Sequence, residues 1–195
     1  MGKNCQPMKR RFLVIGCGSI GKRHIRNLIS LGIDGVNDII AFDLDPARRE
    51  EVEKKLGIAT AQTIAAAWAS RPEVCLITAP TAFHLTLARQ AAERNCHLFI
   101  EKPLSHNWAG VEQLMSTVTD NHSITLVGCN LRFHPGLEKI KNLLAENAIG
   151  KIIAARVEVG QYLPDWHPWE DYRQSYSARR ALGGTESRRH RRRYV

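Results

Sequence analysis

The sequence predicts an α/β fold: a doubly wound parallel sheet over residues 1–130, then an incomplete α+β domain over residues 131–184. Three observations carry this expectation. Short aliphatic runs alternate with helix-period stretches through residue 130, the layout of a parallel sheet covered by helices. A glycine-rich turn, Gly16-Cys17-Gly18-Ser19-Ile20-Gly21, joins the first such run to the first helical stretch. After Arg132 the alternation stops. Hydrophobic residues at 44% and charged residues at 24% make a globular composition, which excludes disorder over most of the length.

Phe12–Ile15 reads as the first strand. Ile20, His24, Ile25, Leu28 and Ile29 recur at helical spacing until Gly32, so His24 falls on the apolar face as a core or cleft-wall residue. Asp38–Phe42 is the second strand, followed by a charged helix from Pro46 to Leu56 with its proline in the first turn. A weaker strand is expected near Ile58–Ala61 and a helix over Ile64–Ser70. Val74–Thr78 is a near-continuous apolar strand, and Leu85, Leu87, Ala88, Ala91 and Ala92 mark the next helix. His97–Ile100, a helix from Asn107 to Asp120, and Ile124–Cys129 complete the series. Such strand–helix–strand units connect right-handedly.

In the second domain Leu137, Ile140, Leu143 and Leu144 predict a helix, with Gly150 as its C-cap. Ile153, Ala155, Val157 and Val159 alternate with Ala154, Arg156 and Glu158, the pattern of a half-buried antiparallel strand. Residues 162–176 are rich in Tyr, Trp, His and Asp without a period and read as a loop.

The net charge of +9 is uneven: residues 185–195 hold five arginines and one glutamate, so they supply +4 of it. That basic segment is expected to be disordered, because like charges without apolar partners repel and bury nothing. No apolar run approaches the roughly 18 residues of a membrane span, and Phe12–Ile15 is too short for the core of a secretory signal. The five cysteines are odd in number, widely spaced and without C-x-x-C, which suits a reducing cytoplasm. Cys17, Cys75 and Cys129 fall in or beside apolar runs and are expected in the core. No histidine pair has metal-binding helical spacing, so no metal site is expected.

The chemistry begins at the glycine turn. Gly16, Gly18 and Gly21 form a G-x-G-x-x-G where a strand ends and a helix begins. The first glycine permits the tight turn, the second lets backbone approach a pyrophosphate, and the third lets helix and strand pack closely. Ser19 and Ile20 open the helix whose free N–H groups and partial positive charge favour that anion. Asp43 lies twenty-two residues beyond Gly21, at the end of the second strand, where a carboxylate accepts ribose hydroxyls and repels a 2′-phosphate. NAD is therefore favoured over NADP, with Asp45 the competing candidate for the ribose. A Rossmann-type domain follows. Glu101-Lys102-Pro103 ends the fifth strand at the sheet's carboxyl edge, where ligands of such folds bind. Lys102 there is either a substrate-binding lysine or a solvated one paired with Glu101.

The order and spacing of these pieces resemble the Gfo/Idh/MocA family of sugar-oxidising and sugar-reducing enzymes. The likeness is carried by the glycine turn, Thr78-Ala79-Pro80 with His84 following, Glu101-Lys102-Pro103, and Asn130-Leu131-Arg132-Phe133-His134-Pro135, and it runs through Gly184. It implies that Thr78, Ala79 and Pro80 line the nicotinamide side of the cofactor cleft; His84 opens the next helix, where it is either a cofactor contact or a helix cap. It places Glu101 near the nicotinamide ribose and makes Lys102 the catalytic-site lysine, with Pro103 often cis. Arg132 and His134 would open the substrate side, joined by Tyr162 and Trp166, whose bland alternative is packing between loop and sheet. The implied function is NAD(P)-dependent oxidation or reduction of a sugar or nucleotide sugar, in full-length relatives that are homo-oligomers.

After Gly184 the family continues with an apolar D-x-x-x-H segment whose histidine handles the hydroxyl proton, whereas this sequence runs Thr185 to Val195 through an arginine cluster. The resemblance thus implies a chain truncated in its second domain, as if read out of frame, and inactive in this form. The alternatives are a non-catalytic NAD-binding module and, less favoured, a nucleic-acid binder acting through Arg188–Arg193.

Overall fold

The computed structural model describes residues 10–158, 162, 165, 171, 173 and 178–183. Six strands form one parallel sheet: β1 (Phe12–Ile15), β2 (Ile39–Phe42), β3 (Ala59–Thr60), β4 (Val74–Ile77), β5 (His97–Ile100) and β6 (Thr125–Val127). Their spatial order is β3-β2-β1-β4-β5-β6. Val14 at the centre of β1 pairs with Ala41 of β2 on one side and Leu76 of β4 on the other. The winding reverses there, so a crevice outside the carboxyl ends of β1 and β4 is the place for a ligand.

Helices α1 (Ser19–Ser30), α3 (Pro46–Leu56), α5 (His84–Ala92) and α6 (Val111–Asp120) cover the sheet, with shorter α2 (Gly35–Asp38) and α4 (Ile64–Ala69) between strands. Period-2 alternation divides the strand residues between two cores. Val14, Ala41 and Leu76 face Ile25 of α1 and Val52 of α3. Leu13, Ile15, Cys75, Ile77 and Leu98 face Ala88, Ala91 and Ala92 of α5 and Leu114 of α6. Both faces are covered, which is why β1 and β4 read as unbroken apolar runs. Among the described residues no helix is long and apolar enough to cross a membrane.

Local chemistry sets the boundaries. Asp45 caps α3 by accepting the Ala47 N–H at 2.9 Å, and Gly57 ends that helix in the left-handed conformation at φ 65°. Thr63 caps α4 through the Ala66 N–H. Asp34 accepts the N–H groups of Val36 and Asn37, which starts α2 and takes Asp38 out of the strand expected to begin there. The helix expected from Asn107 begins at Val111, because Gly110 sits at φ 88° and breaks the turn before it. Cys129 is exposed, a correction to its expected burial, while Cys17, Cys75 and Cys96 are buried.

The chain divides into two units between Gly128 and Cys129. The second contains a 3-10 turn, Asn130–Phe133, and α7 (Pro135–Ala145). Gly150 is not its C-cap: Asn147 takes the left-handed conformation first, at φ 58°, and the Ala148 N–H closes onto the Leu143 carbonyl at 2.9 Å. The alternating segment 152–158 pairs with no strand, and Ile153 and Val157 are 95% and 87% exposed. Alternation predicts which faces separate, but a strand exists only where a neighbour takes its N–H and C=O groups, and none does so among the described residues. Val159, the last residue of that alternation, and the segment 184–195 lie outside the described residues.

Candidate active site

The three glycines of the first turn are not equivalent. Gly16 holds φ 104°, and a Cβ there would meet the Thr78 carbonyl carbon and the Ala79 nitrogen at 2.6 Å. At Gly21 a Cβ would lie 1.9 Å from the Gly16 oxygen. Both are fixed by the fold. Gly18, the N-cap of α1, has ordinary extended backbone at φ −67° and ψ −169°, and the nearest atom to an added Cβ is Arg48 Nη1 at 3.9 Å. Nothing in the fold itself requires glycine at 18, and the absence of a Cβ there leaves the start of α1 open to an approaching group. The first turn of α1 also carries no side-chain cap and no acidic residue. An uncapped turn with free N–H groups and a Cβ-free approach fits a pyrophosphate. Ser19 is exposed and Ile20 half-buried at this helix start.

Asp43 directly follows β2 and is 8% exposed. Its Oδ2 accepts the Cys17 N–H at 2.7 Å and its Oδ1 the Asp45 N–H at 2.9 Å. One side chain thus braces the glycine turn against the end of the second strand. Arg48 Nη1 lies 3.7 Å from Oδ2, and Arg49 donates to the Asp43 carbonyl at 2.7 Å. Arg49 was not legible in the sequence as a site residue; its signal is only that it follows the Asp45-Pro46 cap by one helical turn. Burial, with Asp43 second, pushes the Cys17 thiol up to about 12, so it is an inert packing group. Asp45 spends one oxygen on capping α3, and both Asp43 oxygens brace main chain but keep a second lone pair each. Position therefore decides: Asp43 directly follows β2 at the carboxyl edge of the sheet, the ribose place. Asp43→Ser should therefore cut the NAD-over-NADP preference by about tenfold or more in calorimetric titrations; an unchanged preference would move the ribose contact to Asp45.

The Thr78 hydroxyl is shared between the Gly16 and Ile15 carbonyls at 2.6 and 3.0 Å, so it ties the end of β4 to the glycine turn. Pro80 is half-buried, and its carbonyl accepts the Phe83 N–H. His84, expected as a cofactor contact or a helix cap, is 2% exposed, with Nδ1 2.8 Å from the Pro103 oxygen and Nε2 2.7 Å from the Ala79 oxygen. Carbonyls only accept, so a neutral ring serves one of them at a time and a doubly protonated ring serves both. Neither ring nitrogen is left for a ligand.

Glu101 extends from the end of β5. Its Oε1 lies 2.7 Å from His24 Nε2, and its Oε2 accepts the Lys102 N–H at 3.1 Å. His24 packs edge-on to Phe99 at 4.8 Å, so it is a wall residue with a polar tip. Its partner lies 77 residues away, and no local pattern could have joined them. Burial would raise the Glu101 carboxyl, but the His24 and Lys102 hydrogen bonds outweigh it and hold the group below its ordinary 4.5. A depressed folded-state value stabilises above the ordinary value, and the contribution is lost as pH falls through the folded one. Glu101→Gln should therefore lower stability to urea at neutral pH, and the gap to wild type should close below about pH 4. A gap independent of pH would assign the loss to packing. Lys102 is exposed, with no ion pair among the described residues, and the Lys102–Pro103 bond is cis.

In the second unit Arg132 lies in the 3-10 turn and is exposed. His134 caps α7, its Nδ1 accepting the Gly136 N–H at 3.1 Å. Tyr162 is 70% exposed, and Trp166 lies outside the described residues.

A parallel sheet in this order, led by an open glycine turn and braced by an acid at the end of β2, makes the first unit a dinucleotide-binding domain. Residues 10–129 match the sequence model of the Gfo/Idh/MocA family, described as an oxidoreductase family with an NAD-binding Rossmann fold. The chain belongs to that family, and NAD is its cofactor. Myo-inositol 2-dehydrogenase of Thermotoga maritima is 30% identical over an alignment of 152 residues that covers 75% of this chain and 44% of that protein. In fold, the chain resembles scyllo-inositol dehydrogenase of Lactobacillus casei, solved with NAD(H) and scyllo-inositol, at a TM-score of 0.63 and 21% identity, covering 73% of this chain and 43% of that one. The WlbA dehydrogenase of Bordetella pertussis, solved with NADH and UDP-GlcNAcA, gives a TM-score of 0.66 at 20% identity over 73% and 43% of the two chains. The chain spans less than half the length of these relatives.

Proposed function

We propose that the protein is an NAD-dependent oxidoreductase that moves hydride between a carbinol carbon of a sugar-like polyol or nucleotide sugar and the nicotinamide ring. The observation that carries this reading is Lys102, exposed at the carboxyl edge of the sheet directly after β5, in a chain whose first unit is an NAD-binding domain. When bound, NAD supplies the hydride acceptor or donor. The hydroxyl proton released on oxidation needs a base, the role the family resemblance gives to a D-x-x-x-H histidine that Thr185–Val195 does not carry. The chain's own residues divide the binding and orienting work. Gly18 and the open turn of α1 admit the pyrophosphate, and Asp43 takes the ribose hydroxyls. Lys102 donates to the substrate oxygen, orienting the carbinol and polarising it as carbonyl character develops. Arg132, His134, Tyr162 and Trp166 supply the substrate side. The free buried thiols Cys17, Cys75 and Cys96 support a cytoplasmic location.

Both polyol and nucleotide-sugar classes enter this reading from the relatives. Calorimetry tests it. NAD should bind alone, and inositols or UDP-sugars should bind only after NAD is present, with Lys102→Met weakening the second event and sparing the first. NAD binding with no response to any polyol or nucleotide sugar, and no nicotinamide reduction, would leave a non-catalytic NAD-binding module.

A further inference from the structure

The Glu101-Lys102-Pro103 turn is gripped on both flanks by histidines from distant parts of the first unit. On one side His24 of α1 holds Glu101 Oε1 at 2.7 Å, while Glu101 Oε2 accepts the Lys102 N–H at 3.1 Å. On the other side the buried His84 ring spans 2.8 Å to the Pro103 oxygen and 2.7 Å to the Ala79 oxygen. Lys102 therefore has a tethered residue on each side and its own N–H engaged, yet its side chain is exposed. An apolar side chain could fill either histidine position without needing polar partners, so packing alone does not account for the two rings.

We infer that His24 and His84 are positioning residues, a two-sided clamp that fixes the backbone from which Lys102 reaches the substrate oxygen. This rests on the reading of Lys102 proposed above. Lysine is a long flexible stem with many rotamers, so the only part of it the fold can pre-place is its backbone. The clamp also ties that backbone to the two elements beside the cofactor: His24 belongs to the helix that follows the glycine turn, and Ala79 to the turn after β4. A displacement of about 1 Å at a reacting group costs on the order of 10²-fold in rate, the scale on which such a clamp acts.

Amide hydrogen exchange on the 195-residue chain tests the clamp without substrate. In His24→Ala and in His84→Ala the Lys102 amide should exchange about fivefold faster or more, while the amides of Leu13 and Leu76 in the central strands keep their protection. His24→Gln, whose side-chain amide can still donate to Glu101, should restore slow exchange. Where His84→Ala does not fold, the His24 pair decides: fast exchange in the alanine variant and slow exchange in the glutamine variant uphold the clamp, and equal exchange in both overturns it. Unchanged turnover in Lys102→Met would defeat the reading of the lysine while leaving the exchange result standing, so the two failures are distinct.

Discussion

Gly21→Ala should collapse the stability of the first unit, whereas Gly18→Ala should leave it folded but weaken its hold on NAD. The two substitutions add the same methyl group three residues apart. At Gly21 the new Cβ would sit 1.9 Å from the Gly16 oxygen and 2.9 Å from Thr78 Oγ1, against backbone that β1 and β4 hold in place. Overpacking of a tight core commonly costs about 1–3 kcal/mol, and a methyl group forced into main chain belongs at or above the top of that range. Against a total stability of roughly 5–15 kcal/mol, such a loss is large. At Gly18 the backbone is compatible with alanine and the nearest atom is 3.9 Å away. Folding should be unchanged or slightly improved, because alanine has less unfolded-state freedom to lose. NAD affinity should nevertheless drop about tenfold or more, since the methyl group occupies the approach to the α1 N–H groups. Urea unfolding and calorimetry on the same two proteins check both halves. A Gly18→Ala protein that binds NAD normally would move the pyrophosphate elsewhere.

The second large effect is expected at Lys102. In protein competent for hydride transfer, Lys102→Met should lower kcat by about 10² or more, the range found for positioned acid–base groups. NAD affinity should move less than about twofold, because methionine keeps most of the stem and the cofactor contacts lie on other elements. A split of this kind separates a group acting on the reacting oxygen from one that merely shapes the pocket. Near-normal turnover would return Lys102 to the role of a solvated loop lysine.

The sequence made the central strands legible because β1, β2 and β4 are buried on both faces and appear as apolar runs between turn residues, whereas the exposed edge strands β3 and β6 give a weaker pattern. Boundaries were less legible where a single side chain decides them. Asp34 captures two N–H groups and converts the approach to β2 into a helical turn, and Gly110 delays α6. Asn147 ends α7 before the glycine that looked like its cap. The segment 152–158 shows the opposite failure, a clear alternating pattern with no partner strand among the described residues. At the site, motif spacing pointed to the glycines, Asp43 and Lys102 as candidates. It could not reveal that Thr78 and His84 spend their polar atoms on main-chain carbonyls, or that His24 meets Glu101, since those contacts join residues far apart in the chain.

The double brace at Asp43 limits how this protein could change cofactor. The same carboxylate that would exclude a 2′-phosphate also holds the Cys17 and Asp45 N–H groups. A neutral replacement that admits the phosphate withdraws an acceptor from the glycine turn, and an orphaned buried N–H costs about 1–3 kcal/mol. Charge removal and loss of the brace therefore arrive in one mutational step. A lineage moving toward NADP would need a small hydroxylic or amide residue at position 43, able to keep at least one of those hydrogen bonds. Arg48, already 3.7 Å from Oδ2, stands ready as the countercharge, so the obstacle on that path is the unsatisfied turn rather than the missing cation.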